Sequence, residues 1–330
     1  MRARHNGPGS DVRVAFVGAG SMANRVHYPS LASLPGVRLA AACDIDQHKL
    51  QATADRYGIP GRYADYRKMV EETAPDAVYA VGPPHLMYDI WVWCLEHGLN
   101  LFIEKPMGTT LHQARVLANL AERHGCITQV GFQRRSAPLL VRMHEECCRK
   151  GPLTHAVCEF AKYAPAPMVG ALDHMLNDCV HAIDTLRWMC AGEVAGIESH
   201  CRRIGVPDIN WISATLHFSS GSVGFLLGNW TAGRRVFRVQ MHAHGVSCDA
   251  DPEDRAWLYT DGGAEPTVYD AKEVAGSQEL CVYGGFLAKH REFVESVRSG
   301  EEKTSSSFRD AVKTMEVGFK ILAQAALKGA

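Results

Sequence analysis

Three groups of residues in this chain combine types and spacings that could do chemistry. The first is Gly18-Ala19-Gly20-Ser21-Met22-Ala23, a G-x-G-x-x-A turn directly after the apolar run Val12–Val17. Two glycines let the backbone bend tightly and approach a pyrophosphate, and Ala23 suits close packing of helix on strand. A helix starting near Ser21 would aim its free N–H groups and positive dipole end at the phosphates. The next strand ends in Asp44-Ile45-Asp46, with Asp44 roughly 26 residues beyond Gly18. A carboxylate there accepts hydrogen bonds from an adenosine ribose diol and repels a 2′-phosphate, so the expected cofactor is NAD in preference to NADP. Asp46 is the weaker ribose candidate. The competing reading, a tight turn and a capping acid, is outweighed by the strand before, the helix after and the acid at the next strand end.

The second group is Glu104-Lys105-Pro106 at the end of the run Leu101–Ile103. It puts a charged pair at the carboxyl edge of a sheet, where doubly wound folds bind ligands. Pro106 restricts Lys105 and leaves the isomer of their bond open. The third is Asn177, His181 and Asp184, spaced i, i+4, i+7 and therefore within about 60° of one helix face at about 100° per residue. The plainer readings are a strand-end salt bridge for Glu104 and a core histidine for His181, since Leu176, Val180, Ile183 and Leu186 line the same helix.

The elements that must position these groups follow from periodicity. From Val12 to about Phe132 short apolar runs alternate with helical stretches, the signature of a parallel sheet with crossover helices. Strands are expected at Val12–Val17, Val37–Cys43, 77–81, 100–103 and 127–130; a helix capped by Thr110 and Gln113 stops at Gly125. After Gly131-Phe132-Gln133 come helices near 136–150 and 175–190. Strand-like runs at Trp211–Phe218, 223–227 and 256–260 follow, punctuated by Ser219-Ser220-Gly221 and Asp261-Gly262-Gly263. Two helices close the chain at Phe286–Ser299 and 309–327. The fold expected is α/β: a flexible tail over 1–10, an N-terminal Rossmann dinucleotide-binding domain over 11–133, and a C-terminal α+β domain with a largely antiparallel open sheet over 134–330.

Composition narrows the partners. Thirty-five Lys and Arg balance 36 Asp and Glu, so there is no global basic field to hold nucleic acid or an anionic membrane. No apolar run reaches the roughly 18 residues of a membrane span, and the expected location is the cytoplasm. The odd count of 11 cysteines, without a C-x-x-C pair, reads as reduced, mostly buried thiols. Among 16 histidines, His242-Ala243-His244 lacks a carboxylate or Cys at ligand spacing, so no metal is expected.

Five stretches occur in the order and approximate spacing of one known family. They are Gly18-Ala19-Gly20, Val81-Gly82-Pro83-Pro84, Glu104-Lys105-Pro106, Val130-Gly131-Phe132-Gln133-Arg134-Arg135 and His181-Ala182-Ile183-Asp184. Over nearly its whole length the chain resembles the glucose-fructose oxidoreductase / inositol dehydrogenase / rhizopine-catabolism (Gfo/Idh/MocA) family. The resemblance implies a catalytic Lys105 that contacts cofactor and substrate; an ammonium there can stabilise alkoxide character at a reacting C–O group. It makes His181 the general acid/base of a helix that usually carries Asp, His and Asp. Asp184 would bind a neighbouring hydroxyl or fix the histidine. Asn177 departs from the pattern, since an amide orients a hydroxyl but cannot take its proton, and Asp178 or Asp173 would have to replace the missing carboxylate. Met87 is a second departure, where many relatives place a histidine; His85 lies two positions earlier.

The same resemblance assigns the cofactor to Gly18, Gly20, Ser21, Met22, Ala23, Asp44, Ile45, Pro83, Pro84, Glu104, Lys105, Gln133 and Tyr283. It assigns the substrate to Tyr163, Arg134, Asn177 and His181. The implied activity is NAD-dependent hydride transfer between nicotinamide and a hydroxyl or keto carbon of a sugar, sugar derivative or cyclitol, in a homodimer or homotetramer associated through the open sheet. Two rival activities share the fold: an NAD-dependent glycoside hydrolase that oxidises its sugar transiently, and a dinucleotide-binding sensor without turnover.

Overall fold

The run Val12–Val17 forms a strand, β1, whose residues are nearly all buried, as expected of a parallel strand covered on both faces. The computed structural model describes residues 11–165 and 173–327, which fall into two units. The first takes the described residues through Gly131 together with Phe286–Val312; the second takes Phe132–Gly285 and the described residues from Lys313 onward. A segment inside the expected 134–330 domain is therefore part of the first unit.

In the first unit β1, β2 (Val37–Cys43), β3 (Gly61–Tyr63), β4 (Ala77–Ala80), β5 (Leu101–Ile103) and β6 (Thr128–Val130) form a six-stranded sheet in the order β3-β2-β1-β4-β5-β6. Every pairing is parallel. The winding reverses between β1 and β4, which opens the crevice at their carboxyl ends. The apolar runs of β1, β4 and β5 read clearly because both faces are buried. β3 had no such signal: it is three residues long and includes Gly61, where a Cβ would stand 2.8 Å from the Cβ of Ala41.

Stacked rings fill this core. Phe16 lies on Tyr28 and Tyr79 at 4.3 and 5.5 Å between centroids, and Tyr79 on Phe102 at 4.7 Å. The returning helix Phe286–Ser299 adds Phe293 against Tyr79. Beyond it, the chain runs beside β6: Val130 N–H donates to Ser306 O at 2.9 Å, and the Thr304 hydroxyl to Thr128 O at 2.7 Å. This strap covers a sheet edge that would otherwise present unpaired backbone groups. The helix Leu111–His124 is capped by Thr110, whose hydroxyl accepts from Gln113 N–H at 3.1 Å. The Gln113 amide oxygen turns to Thr109 instead of Thr110, accepting its N–H at 2.7 Å, so only half of the reciprocal capping box forms.

The second unit is an eight-stranded sheet of β7 (His155–Tyr163), β8 (Val194–Arg202), β9 (Trp211–Phe218), β10 (Val223–Asn229), β11 (Thr231–Ala243), β12 (Val246–Ala250), β13 (Arg255–Thr260) and β14 (Thr267–Asp270). Its order is β14-β13-β12-β11-β7-β10-β9-β8. Neighbours are antiparallel except β7 and β10, which are parallel. Alternation decides the faces: Ile212, Ala214, Leu216 and Phe218 of β9 point into a core closed by Met143 and Cys147 of helix Pro138–Cys148 and by Ile183 and Leu186 of helix Val180–Cys190. Two helical segments contain a widened, π-type turn. Tyr28 N–H bonds to Ala23 O at the end of Ala23–His27, and Val180 N–H bonds to Met175 O at the end of Met175–Cys179. Such turns are rare and often lie at functional sites.

All cysteines are free. Among the described residues no cluster of three or more His, Cys, Asp or Glu could hold a metal ion, and no helix is long and apolar enough to cross a membrane. His242 stacks on His155 at 4.3 Å, with Nδ1 2.9 Å from the Ser247 hydroxyl.

The two glycines of the opening turn should respond differently to a methyl group. At Gly18 φ is +109° and a Cβ would lie 2.1 Å from Val81 O, whereas at Gly20 nothing lies within 4 Å. In urea or thermal unfolding, Gly18→Ala should lose at least about 2 kcal/mol and Gly20→Ala no more than about 0.5 kcal/mol. Equal stability of the two variants would contradict the close approach of Val81.

Candidate active site

The opening turn is held from three directions. Gly18 N–H donates to Cys43 O at 2.8 Å, and the Tyr28 hydroxyl donates to Gly18 O at 3.2 Å. The Asn24 side chain gives its amide protons to Ala19 O at 3.0 Å and Gly20 O at 3.2 Å. Ala19 N–H donates to Asp44 Oδ2 at 2.6 Å, while Asp46 N–H donates to Oδ1 at 2.8 Å. Asp44 therefore clasps the turn, and each oxygen keeps a further acceptor direction. Asp46 is used differently: its Oδ1 caps helix Gln47–Tyr57 by accepting from His48 and Lys49 N–H. Ala23 is buried, Ser21 and Met22 are exposed, and Ile45 is 88 % exposed beside the Asp44 carboxylate.

These features fit a dinucleotide. The first glycine has no room for a Cβ, the second would point one into open space, a carboxylate closes the neighbouring strand, and apolar side chains stand uncovered beside it. At the end of β4, Pro83 is exposed and Pro84 buried at the start of helix Pro84–Glu96. The Met87 thioether covers Gly82, 3.1 Å from where its Cβ would be, and His85 is exposed.

At the end of β5 Glu104 is buried and Lys105 half-buried, and the Lys105–Pro106 bond is cis. Lys105 N–H donates to Glu104 Oε2 at 3.3 Å. Glu104 Oε1 lies 3.2 Å from His27 Nε2, a partner the sequence reading missed. Gly131 makes room for this carboxylate, since a Cβ there would come within 2.3 Å of Oε1.

In the second unit, the sequence calculation for one helix face assumed an unbroken α-helix. The wide turn Met175–Cys179 changes the angular position of Asn177 relative to His181. His181 is buried, with the Phe132 ring edge-on at 6.2 Å. Asn177 donates to Asp178 Oδ1 at 3.2 Å. Asp178 Oδ2 takes Trp230 Nε1–H at 3.0 Å and the Lys162 ammonium at 2.5 Å. Asp173 accepts from Leu176 N–H at 2.8 Å, and burial raises its carboxyl above the usual range. Both acids considered as substitutes for the missing carboxylate thus have other partners.

Asp184 is 1 % exposed and paired with Arg135, whose Nε donates to Oδ2 at 2.8 Å and whose Nη2 donates to Oδ1; Thr314 Oγ1 adds a third donor at 3.2 Å. It anchors the helix that carries His181 to the turn Gln133–Ser136. Arg134, next in that turn, points to Glu253 at 2.7 Å and lies over the Phe237 ring at 4.7 Å. Burial holds its guanidinium below its usual range. Gln133 is buried, and its Oε1 has no polar partner among the described residues. The same turn packs so tightly on Gly285 that a Cβ there would stand 2.4 Å from Gln133 O. Tyr163 is exposed at the end of β7, and Tyr283 is half-buried in the short helix Leu280–Tyr283, with the Lys272 ammonium 5.9 Å from its ring.

The Arg135–Asp184 pair can be tested apart from activity. Arg135→Met or Asp184→Leu alone should cost about 3–5 kcal/mol in urea unfolding, because each leaves a buried charge without its partner. The double variant should lose clearly less than the sum of the two; strict additivity would show that the pair does not couple.

Comparison with known proteins adds to this geometry. Residues 12–132 match the family model described as "Oxidoreductase family, NAD-binding Rossmann fold". The scyllo-inositol 2-dehydrogenase (NAD(+)) of Bacillus subtilis is 22% identical over 324 residues, which is 93% of this chain and 92% of that protein. The D-glucoside 3-dehydrogenase of Escherichia coli is 32% identical over 128 residues, 39% of this chain and 36% of its own. Among solved structures, a dehydrogenase from Chromobacterium violaceum superposes with a TM-score of 0.86 at 21% identity, covering 97% of each chain. With the glycine turn and the Glu-Lys-Pro strand end in the order set out above, residues 12–132 match the NAD-binding Rossmann fold of that oxidoreductase family, and the whole chain shares its fold with the Chromobacterium violaceum dehydrogenase.

Proposed function

We propose that the protein is an NAD-dependent dehydrogenase that moves a hydride between nicotinamide and a hydroxyl or keto carbon of a sugar, sugar derivative or cyclitol. The observation that carries this reading is the clasped turn: a loop with glycine at 18 and 20 whose shape is held by Asp44, the same carboxylate that can receive a ribose diol. Backbone N–H groups at the start of the following helix would bind the pyrophosphate, with Gly20 leaving space for its approach. Ile45 and Met22 supply uncovered apolar surface for the adenine. The unfilled acceptor of buried Gln133 suits the amide group of nicotinamide. The names of the relatives, an inositol dehydrogenase and a glucoside dehydrogenase, support a polyhydroxylated ring as substrate.

When bound, NAD supplies the hydride acceptor. The chain's part is to orient the ring and manage the hydroxyl proton. Lys105, at the carboxyl edge of the first sheet, would stabilise developing negative charge on the reacting oxygen, and His181 would take its proton. Asn177 would orient a neighbouring hydroxyl. Asp184 would act at one remove, holding the His181 helix through Arg135. Phe225, Leu227, Tyr259 and Val268 stand exposed on the second unit's sheet, and we read that sheet as the surface through which copies of the chain associate as a homodimer or homotetramer.

Two measurements test the reading. On scyllo-inositol, myo-inositol and methyl glucosides, NADH formation should slow at least about 100-fold in Lys105→Ala and in His181→Ala, with the Kd for NAD+ within about threefold of wild type. Unchanged turnover in either variant would remove that residue from the chemistry. For cofactor choice, calorimetry should show NAD+ bound well above NADP+ in wild type, and Asp44→Ser should narrow the gap by about tenfold, equivalent to about 1.4 kcal/mol. Wild type that binds NADP+ as tightly as NAD+ would overturn the role given to Asp44.

A further inference from the structure

Behind the Glu104-Lys105 strand end lies a row of buried polar groups that the proposed chemistry does not use. Glu104 Oε1 lies 3.2 Å from His27 Nε2; His27 Nδ1 lies 3.0 Å from His290 Nε2; His290 Nδ1 lies 3.2 Å from the Tyr79 hydroxyl. His27, His290 and Tyr79 are all 0 % exposed. Phe16, Phe102 and Phe286 surround the His27 ring at 5.6 to 6.3 Å between centroids, and Phe102 lies 4.9 Å from His290. Buried polar atoms of this kind are usually hydrogen-bonded. The 3.2 Å approach of His27 Nε2 to Glu104 Oε1 is within ion-pair distance but short of hydrogen-bond geometry, and among the described residues neither atom has a hydrogen-bond partner.

The row has one consistent direction. A neutral phenol has a single proton to give, and its neighbour here is His290 Nδ1. If Tyr79 donates there, His290 carries its own proton on Nε2 and donates to His27 Nδ1. His27 then carries its proton on Nε2, facing Glu104 Oε1, which accepts it as a carboxylate. The reverse order would require a protonated Glu104 and leave the Tyr79 proton without an acceptor. Burial holds the Tyr79 phenol well above and the His290 imidazole well below their usual ranges, which keeps both groups neutral in either order.

We propose that His27 is a positioning residue: fixed as the neutral Nε2–H tautomer by His290 and Tyr79, it orients the Glu104 carboxylate and so places a fixed anion next in the chain to Lys105. Glu104 Oε2 accepts the Lys105 backbone N–H, and Oε1 lies 3.2 Å from the imidazole. An oriented, desolvated carboxylate favours a charged ammonium nearby, which is the form that stabilises an alkoxide. The link to catalysis rests on the dehydrogenase reading above; the tautomer of His27 does not.

The test uses the full chain with ring-15N-labelled histidine. At neutral pH the wild-type spectrum should show a nitrogen–nitrogen coupling across one hydrogen bond, from the protonated Nε2 of one ring to the bare Nδ1 of another. The donor ring should vanish in His290→Phe and the acceptor ring in His27→Phe. A proton on Nδ1 of His27, a doubly protonated His27, or no coupling would overturn the proposal. The coupling is read in wild type, so the test survives if His27→Phe does not fold. In turnover, His27→Phe should lower kcat at least tenfold with the Kd for NAD+ changed less than threefold. His27→Gln, which keeps an N–H donor towards Glu104, should recover to within threefold of wild type; a glutamine variant no better than phenylalanine would remove the positioning role. Wild type that fails to bind NAD+ would count against the dehydrogenase reading alone, leaving the tautomer measurement to decide the row.

Discussion

The carbonyl oxygen of Val81 occupies the space that a Cβ on residue 18 would need, and the candidate cofactor seat depends on that one approach. Because β1 and β4 are parallel neighbours in register, with Val17 opposite Ala80, the chain leaving β1 must pass the chain leaving β4 at van der Waals range. Only glycine can do so, and only with φ at +109°. That backbone setting turns the chain sharply enough for a helix to begin at once. The turn has no side chain of its own to stabilise it, so its shape depends on Asp44 and Asn24, which reach it from the second strand and from one helical turn ahead. A ligand-binding loop made of backbone needs such external struts, because glycines hold no conformation by themselves.

How much of this was legible depends on how local the cause is. β1, β2 and the helix ended by Gly125 follow from patterns contained within a dozen residues: apolar runs buried on both faces, a threonine cap, a left-handed glycine. β9 and β10 follow from alternation and the Ser219-Ser220-Gly221 turn. β3 was invisible because three residues cannot show a period. The strap along β6 was invisible because Ser306 and Thr304 bond to backbone groups far back in the chain, and polar residues near a helix end read equally well as a loop. The site divides in the same way. Gly18, Gly20 and Asp44 announce themselves by spacing, whereas His27 and His290 are 263 residues apart, and Arg135 meets Asp184 only after folding. A charged residue's type says that it needs a partner and nothing about which.

The two units place their functional groups by different physics, and this sets what each can tolerate. In the first, main-chain geometry does the placing: added atoms at Gly18 or Gly131 collide with Val81 O or Glu104, while exposed neighbours such as Ile45 meet no such limit. In the second, a desolvated ion pair does it. Arg135 and Asp184 hold the turn Gln133–Ser136 against the His181 helix, so loss of charge matters there more than added bulk.

The wide turn Met175–Cys179 separates these constraints further. Asp184 lies within the regular helix Val180–Cys190 and shares its register with His181, so the ion pair fixes the histidine's backbone directly. Asn177 lies before that register begins, in a turn that carries an extra residue and bonds Val180 N–H back to Met175 O. Its side chain reaches the adjacent Asp178, whose own second oxygen is held by Trp230 and Lys162. A change from carboxylate to amide at 177 therefore alters the polar group at the start of the helix without breaking the contacts that seat His181.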